Sequence, residues 1–186
     1  MSTLLQCCNA ALNRIGCEFI TALTDNNKRA KICNEIYTRI RQKTLAEYNW
    51  KFALVTVTST GTEVTRDDEL SSQHDLPSDF LKMFKIEEED IQYRREGAYI
   101  FADTNELVYT YVSDIDDFAD LSVGFKEVFI LKMAHEASYS LANSNTLRND
   151  LNSELIEVER VYRNADSLES NYHNAVSANT HKYARY

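Results

Sequence analysis

The sequence predicts a mainly α protein with a small β-lobe (α+β), an antiparallel helical bundle with an inserted β-meander. Three observations lead there. Glycine and proline are scarce, four and one in 186 residues, so long elements are favoured over tight turns. Towards both ends of the chain apolar residues recur at steps of three and four, the mark of buried helix faces. Between them β-branched residues crowd and the apolar period shortens toward two. The expected organisation is a helical bundle at 1–51 and 113–168, an inserted β-rich lobe at 52–112 and a C-terminal tail at 169–186.

In chain order, the first helix carries Leu5, Cys8, Leu12 and Ile15 on one face, with Gly16 where a C-terminal cap is wanted. The stretch ALNRIGCEFITALTDNN then reads as a helix-corner-helix joint. Gly16 stops one helix, Ile20 and Leu23 anchor the link, and Thr24 or Asp25 caps the next, so the structural corner is Gly16, Ile20, Leu23 and Asp25. The second helix buries Ala30, Cys33, Tyr37, Ile40 and Thr44 and continues to Tyr48. Its roughly 25 residues span on the order of 37 Å.

FALVTVTST, after Trp50, reads as a strand, and TGTEVTRDDELSSQH as a polar loop closed by the one proline in LPSDF. LKMFKI fits either a strand or a short helical turn. IQYRREGAYIFADTNELVYTYV holds three strand-like pieces separated by EG and DTN, which suits a β-meander. From Asp116 or Ser122 a helix runs through FKEVFILKMAHEASYSLANS, apolar over more than one stripe and so expected to be the most buried. The last helix aligns Leu147, Leu151, Leu155, Val158, Tyr162 and Ala165. Beyond Leu168 the tail is polar, lacks a sustained apolar period and is suited to ordering on a partner.

Acidic residues outnumber basic ones 29 to 20, a net charge of −9, which removes electrostatic support for general nucleic-acid binding. Cys7, Cys8, Cys17 and Cys33 lack paired zinc-ligand spacing. No secretion leader is recognisable and no run approaches about eighteen apolar residues, so synthesis in a reducing cytoplasm without a membrane span is expected. No phosphate-binding glycine motif is present, and no cofactor is expected.

The chemistry-bearing candidates all have plainer explanations. Glu87 to Asp90 (EEED) and DIDDFAD at 114–120 offer carboxylates for a hard cation, yet lack the glycine and terminal glutamate of a calcium loop; a solvated turn and helix capping account for them. His74-Asp75 lies near Ser71, Ser72 and Ser78, without a nucleophile-elbow context. His135-Glu136 lacks the second histidine of a zinc helix. Lys28, Arg29, Lys31, Arg39, Arg41 and Lys43 make the second helix the one basic feature, explained by solvation or by docking to an acidic neighbour. Eleven tyrosines suit cores and subunit interfaces alike.

Asn9 with Leu12 to Gly16, Ile20 to Asp25, Ala30 to Cys33, and Trp50 to Ala53 occur in the order of an N-A-L-x-x-I-G stretch (here with one extra Ala), an I-x-x-L-x-D link, an alanine-cysteine helix and a W-x-F-A end. The set resembles the N-terminal signature of the short-tailed phage head-to-tail adaptor family, also called tail tubular protein A. The resemblance continues in LPSDFLKM, like the family's L-P-x-D-[FLM] segment, in GAYIFAD with ELVYTYV, and in the apolar helix from near Phe125. It covers roughly residues 5 to 142. The tail and the acidic loop at 114–120 depart from it.

The resemblance implies a virion protein of the tail or neck with no enzyme activity and no cofactor. Such a protein forms a dodecameric ring beneath the portal, carries the tail nozzle and lets DNA pass as cargo during ejection. It further implies that the bundle lines or surrounds the DNA channel, that the tail, with Tyr172, Tyr183, Arg185 and Tyr186, docks on the portal, and that the β-lobe faces neighbouring subunits or nozzle proteins. A ring of this kind needs two different complementary faces per subunit, and Arg39, Arg41 and Lys43 against acidic loops are the expected interface. Two other readings stand beside it. One is a small cytoplasmic metal-dependent hydrolase using Asp114, Asp116, Asp117 or the 87–90 carboxylates; the other is a different head-completion ring protein with the same bundle.

Overall fold

The computed structural model describes residues 3–168, and they divide into two compact units. Ala53–Ile115 form one; the residues on either side, up to Phe52 and from Asp116, form the other.

The outer unit is helical: α1 (Thr3–Arg14), α2 (Lys28–Glu47), α3 (Val123–Leu141) and α4 (Asn145–Leu168), with a short 3-10 turn at Phe118–Asp120. α1 ends in a Schellman cap. Cys17 N–H donates to the Leu12 carbonyl at 3.0 Å and Gly16 N–H to that of Asn13 at 3.1 Å, a closure that puts Gly16 at φ 70°. Only glycine takes that conformation freely. α2 begins three residues later than a Thr24 cap and two later than an Asp25 cap would place it, because Asn27 takes the capping role and accepts from Ala30 N–H at 2.9 Å. Ser122 caps α3, accepting from Phe125 N–H at 3.3 Å.

α3 packs against α1, α2 and α4. It buries Phe125, Val128, Phe129, Leu131, Met133, Ala134 and Ala137, which lie on more than one side of the helix, as a helix with neighbours all round requires. Aromatic rings close the junction: Trp50 and Phe52 each meet Phe125 at 5.4 Å between centroids, and Tyr37 meets Phe129 at 5.4 Å. The Trp50 indole donates to the Thr44 carbonyl at 3.1 Å, so its one polar atom is satisfied inside the core. Of the α4 stripe, Leu151 alone is fully buried; Leu147, Leu155, Val158 and Tyr162 are half-buried and Ala165 is exposed.

The inner unit contains β1 (Leu54–Thr60), β2 (Thr62–Glu63), β3 (Ser72–Asp75), β4 (Phe80–Ile86), β5 (Tyr93–Glu96), β6 (Tyr99–Ala102) and β7 (Glu106–Ser113). They form two antiparallel sheets, ordered β1-β7-β4 and β2-β3-β6-β5. Both sheets feed one core. Ile100 and Ala102 come from one, Leu107, Tyr109 and Tyr111 from the other, with Val55, Val57, Phe80, Met83 and Ile86 packed against them. The inward residues alternate along β1, β6 and β7, as the pleat demands, whereas in β4 two register shifts space Phe80, Met83 and Ile86 three apart.

These sheets overturn the expected fold class. The chain is a mixed α+β protein with a sheet-rich domain, not a mainly α helical bundle carrying a small β-meander. Two causes are visible. The polar stretch read as a loop holds β2 and β3, and the inward residues of β3 are Ser72 and His74, so no apolar alternation betrays the strand. The turn after β6 is no hairpin: residues 103–105 carry the chain from one sheet to the other, and β7 pairs with β1 and β4 instead of β6.

His74 holds the place where the sheets exchange strands. Gly61 carries the chain from β1 to β2, and its N–H donates to the carbonyl of Asn105, in the β6–β7 crossing, at 2.7 Å. The ring of His74, fully buried, lies against this corner, with Nδ1 3.2 Å from Ser59 Oγ and Nε2 3.0 Å from the Thr104 carbonyl. A Cβ on Gly61 would sit 2.8 Å from His74 Nε2, so the close approach excludes a side chain there.

His74→Ala should therefore cost about 2–4 kcal/mol in urea unfolding, because it opens a cavity and orphans the Thr104 carbonyl. A loss below about 0.5 kcal/mol would show that the corner holds without it. Gly16→Val should cost about 1–2 kcal/mol from backbone conformation alone, since a Cβ at Gly16 meets nothing within 4 Å. Gly16→Asn, which tolerates positive φ, should cost less, and equal costs would contradict the cap.

Candidate functional site

The expected corner is held by hydrogen bonds around its turns. Asn9, on α1, grips the link from both sides: its Nδ2 donates to the Ile20 carbonyl at 3.0 Å and its Oδ1 accepts from Ile20 N–H at 2.9 Å. Asp25 closes the next turn, accepting from the N–H groups of Thr21 at 2.9 Å and Ala22 at 3.1 Å and from the Thr21 hydroxyl. Those bonds, from Ala22 first and then Thr21, hold its carboxyl below the usual aspartate range. Ile20 is buried and Leu23 half-buried. Gly16, Ile20 and Asp25 thus act together with Asn9, which opens the N-A-L-x-x-I-G stretch in the sequence but whose two bonds to Ile20 no spacing announces.

Arg39, Arg41 and Lys43 do not form one face. Positions two apart point to different sides of a helix, whereas positions four apart share one. Arg39 and Lys43 are exposed and paired within the chain, with Glu136 at 2.5 Å and Glu47 at 3.7 Å. Arg41 is 5% exposed, its guanidinium 5.9 Å from the Tyr37 ring centre. Near the start of α2, Arg29 pairs with Glu18 at 3.0 Å and Lys28 donates to the Ser140 carbonyl.

A cleft of about 310 Å³ lies between α2, α3 and α4, and its lining includes Ile40, Lys43, Lys132, His135, Leu155 and Ile156. Lys132, with its side chain 11% exposed, bridges α2 and α4 by ion pairs to Glu47 and, at 2.8 Å, to Glu159. Burial pushes the Glu47 carboxyl up, but Lys132 outweighs it and holds the group below its ordinary value. Lys132 had no signal in the sequence beyond being a cation on an apolar helix.

The other candidates stand apart. Glu87 pairs with Lys85 at 2.7 Å and accepts from the Thr110 hydroxyl at 2.8 Å, while Glu88, Glu89 and Asp90 are exposed. Asp117 caps the Phe118–Asp120 turn, accepting from Ala119 N–H at 2.8 Å. Among the described residues, no group of three or more His, Cys, Asp or Glu side chains is placed to hold a metal ion. His74 is bonded to Ser59 and Thr104, not to Ser71, Ser72 or Ser78, and Asp75 points to the opposite, exposed side of β3. His135 lies edge-on to Tyr139, with ring centres 5.6 Å apart. Tyr172, Tyr183, Arg185 and Tyr186 lie outside the described residues.

The LPSDF segment contributes a buried-side anchor in the β unit. Asp79 accepts from the Tyr111 hydroxyl at 3.0 Å and the Ser113 hydroxyl at 2.6 Å, and its own carbonyl accepts from Asp114 N–H at 2.7 Å. Burial raises the Asp79 carboxyl, yet the bonds from Ser113 and Tyr111 outweigh it and leave it below the usual range. Tyr111 moves the other way, up to about 12, through burial first and then through its bond to Asp79.

No protein-family model matches this chain, and no curated protein matches its sequence.

The Asp79 cluster sets a pH dependence with a definite sign. A depressed carboxyl stabilises the fold above its unfolded value and loses that contribution as pH falls through the folded one. A raised phenol contributes fully below its unfolded value near 10 and loses it as pH climbs to about 12. The urea midpoint of Asp79→Asn should fall less steeply below pH 4 than that of the wild type, and Tyr111→Phe should flatten the decline above pH 10. Acid and alkaline limbs that both superimpose on the wild type would remove the cluster from the account.

Proposed function

We propose that this chain is a structural virion protein, a head-to-tail adaptor of a short-tailed phage, which forms a dodecameric ring on the portal, carries the tail nozzle and lets DNA pass during ejection. The observation that supports this most is what its signature residues do. Asn9 and Ile20 grip each other across the corner, Gly16 caps α1, Asp25 closes the link and Trp50 fills the helical core. A motif whose members set shape, and not chemistry, suits a part whose work is assembly. The net charge of −9 suits a channel that DNA must pass without adhering.

The deciding experiment is negative-stain imaging of the purified full chain mixed with the portal protein encoded in the same genome. A ring seated on one end of the portal is the expected result. Absence of any complex across a range of salt and protein concentrations would overturn the adaptor reading.

A further inference from the structure

Phe19 is the only phenylalanine among the described residues that stands exposed, at 63%. It lies outside the helical core, yet the link presents it on a fixed backbone. Glu18 before it is tied to Arg29 at 3.0 Å, Ile20 after it is held by both bonds to Asn9, and Thr21 and Ala22 donate to Asp25. A large ring held in place in this way leaves apolar area in water and loses little further freedom when something covers it.

The cleft between α2, α3 and α4 is the matching hollow. Its α4 wall presents half-buried Leu155 and Ile156, which is itself 62% exposed. At about 310 Å³ it has room for one aromatic side chain but not for a helix, whose diameter is about 10 Å. The other exposed rings suit it less: Arg148 already lies 3.8 Å over Tyr139, and Tyr93 and Tyr99 sit on strands of the β unit. The charges agree. Lys132 is spent on Glu47 and Glu159, and Glu136 is bound by Arg39, whereas exposed Lys43 reaches Glu47 only at 3.7 Å. Lys43 is thus the lining cation best placed to meet Glu18, whose side chain is largely exposed. Along α2, Lys43 lies about 14 residues, or roughly 21 Å, beyond Arg29, where the link is tied, so Phe19 is held away from the cleft of its own copy.

We propose that Phe19 of one copy seats in the α2–α3–α4 cleft of a second copy, against Leu155 and Ile156, with Glu18 turned toward Lys43. The contact joins two different faces of the chain. It therefore repeats from copy to copy, and closes into a ring or continues as a filament according to the rotation it fixes. Lys43 orients the approach, and the ring of Phe19 supplies the apolar area removed from water. The contact needs only a second copy of this chain, so it stands apart from portal binding.

Sedimentation velocity of the full chain over a wide concentration range measures the association. The wild type should self-associate, and Phe19→Ala and Ile156→Lys should each weaken the association about tenfold or more. Both positions are exposed, so circular dichroism and the urea midpoint should stay at the wild-type values. A second measurement needs no loss of function: a photoreactive benzophenone amino acid replaces Phe19 in the full chain, which is mixed with copies labelled with nitrogen-15 and irradiated. Cross-linked peptides should join position 19 of one copy to the segment carrying Leu155 and Ile156 of another. A chain that stays monomeric throughout, association untouched by both substitutions, or cross-links between copies that fall only outside the cleft would overturn the proposal. Failure to bind portal with self-association intact would count against the adaptor reading alone.

Discussion

The helical unit depends on α3 offering apolar surface on every side that a neighbour approaches. The chain leaves this unit after Phe52 and returns at Asp116, so its two halves are not held together by local sequence. What joins them is the meeting of Tyr37, Trp50 and Phe52 from the first half with Phe125 and Phe129 of α3 from the second. Aromatic side chains suit such a junction because each removes a large area from water, at about 25 cal/mol per Å², and fixes few torsions in doing so. α1 and α4 then settle on the remaining flanks of α3, and contact between α1 and α2 is slight.

The β unit solves a different problem by different means. Its two sheets share an apolar core, but the place where the chain passes between them twice is held by polar groups: the Gly61–Asn105 backbone bond and the ring of His74. A buried imidazole with both nitrogens engaged fixes the crossing more specifically than a hydrocarbon of equal size, since an unpaired nitrogen or carbonyl in that position is costly. The Asp79 cluster repeats the device where LPSDF meets β7.

What was legible in the sequence follows from this difference. Helix-forming stretches announced themselves because α1 and α3 bury apolar faces at helical spacing and Gly16 is the only good stop between α1 and the link. The cap of α2 was misplaced because Thr24, Asp25 and Asn27 are all competent caps, and only the folded link shows that Asp25 is already occupied by Thr21 and Ala22. The sheets were largely illegible. Period-two reading needs apolar residues on the inward face, and β3 turns Ser72 and His74 inward. Sheet membership is a long-range property, so DTN read as a turn without any sign that it leads to another sheet. At the candidate interface, composition marked α2 as basic, but which cations are spent inside the chain depends on Glu136, Glu47 and Tyr37 being brought near.

That last point constrains how a ring built from this chain would hold together. A docking face made of Arg39 and Lys43 does not start from free charges: each already has a carboxylate of its own chain, and both side chains are more than half exposed. Exposed ion pairs contribute about 0–1 kcal/mol, so exchanging Glu136 or Glu47 for a neighbour's acidic loop gains little net energy. Arg41, buried over Tyr37, is removed from the exchange altogether. Charges on α2 would then guide the approach of a neighbour and fix its orientation, as rim charges do, while the grip would have to come from apolar area removed from water and from side chains ordered on contact. Under the adaptor reading, the acidic excess of the chain and its one basic helix belong to the speed and direction of assembly, and the permanence of the ring belongs to the apolar area that its subunits remove from water.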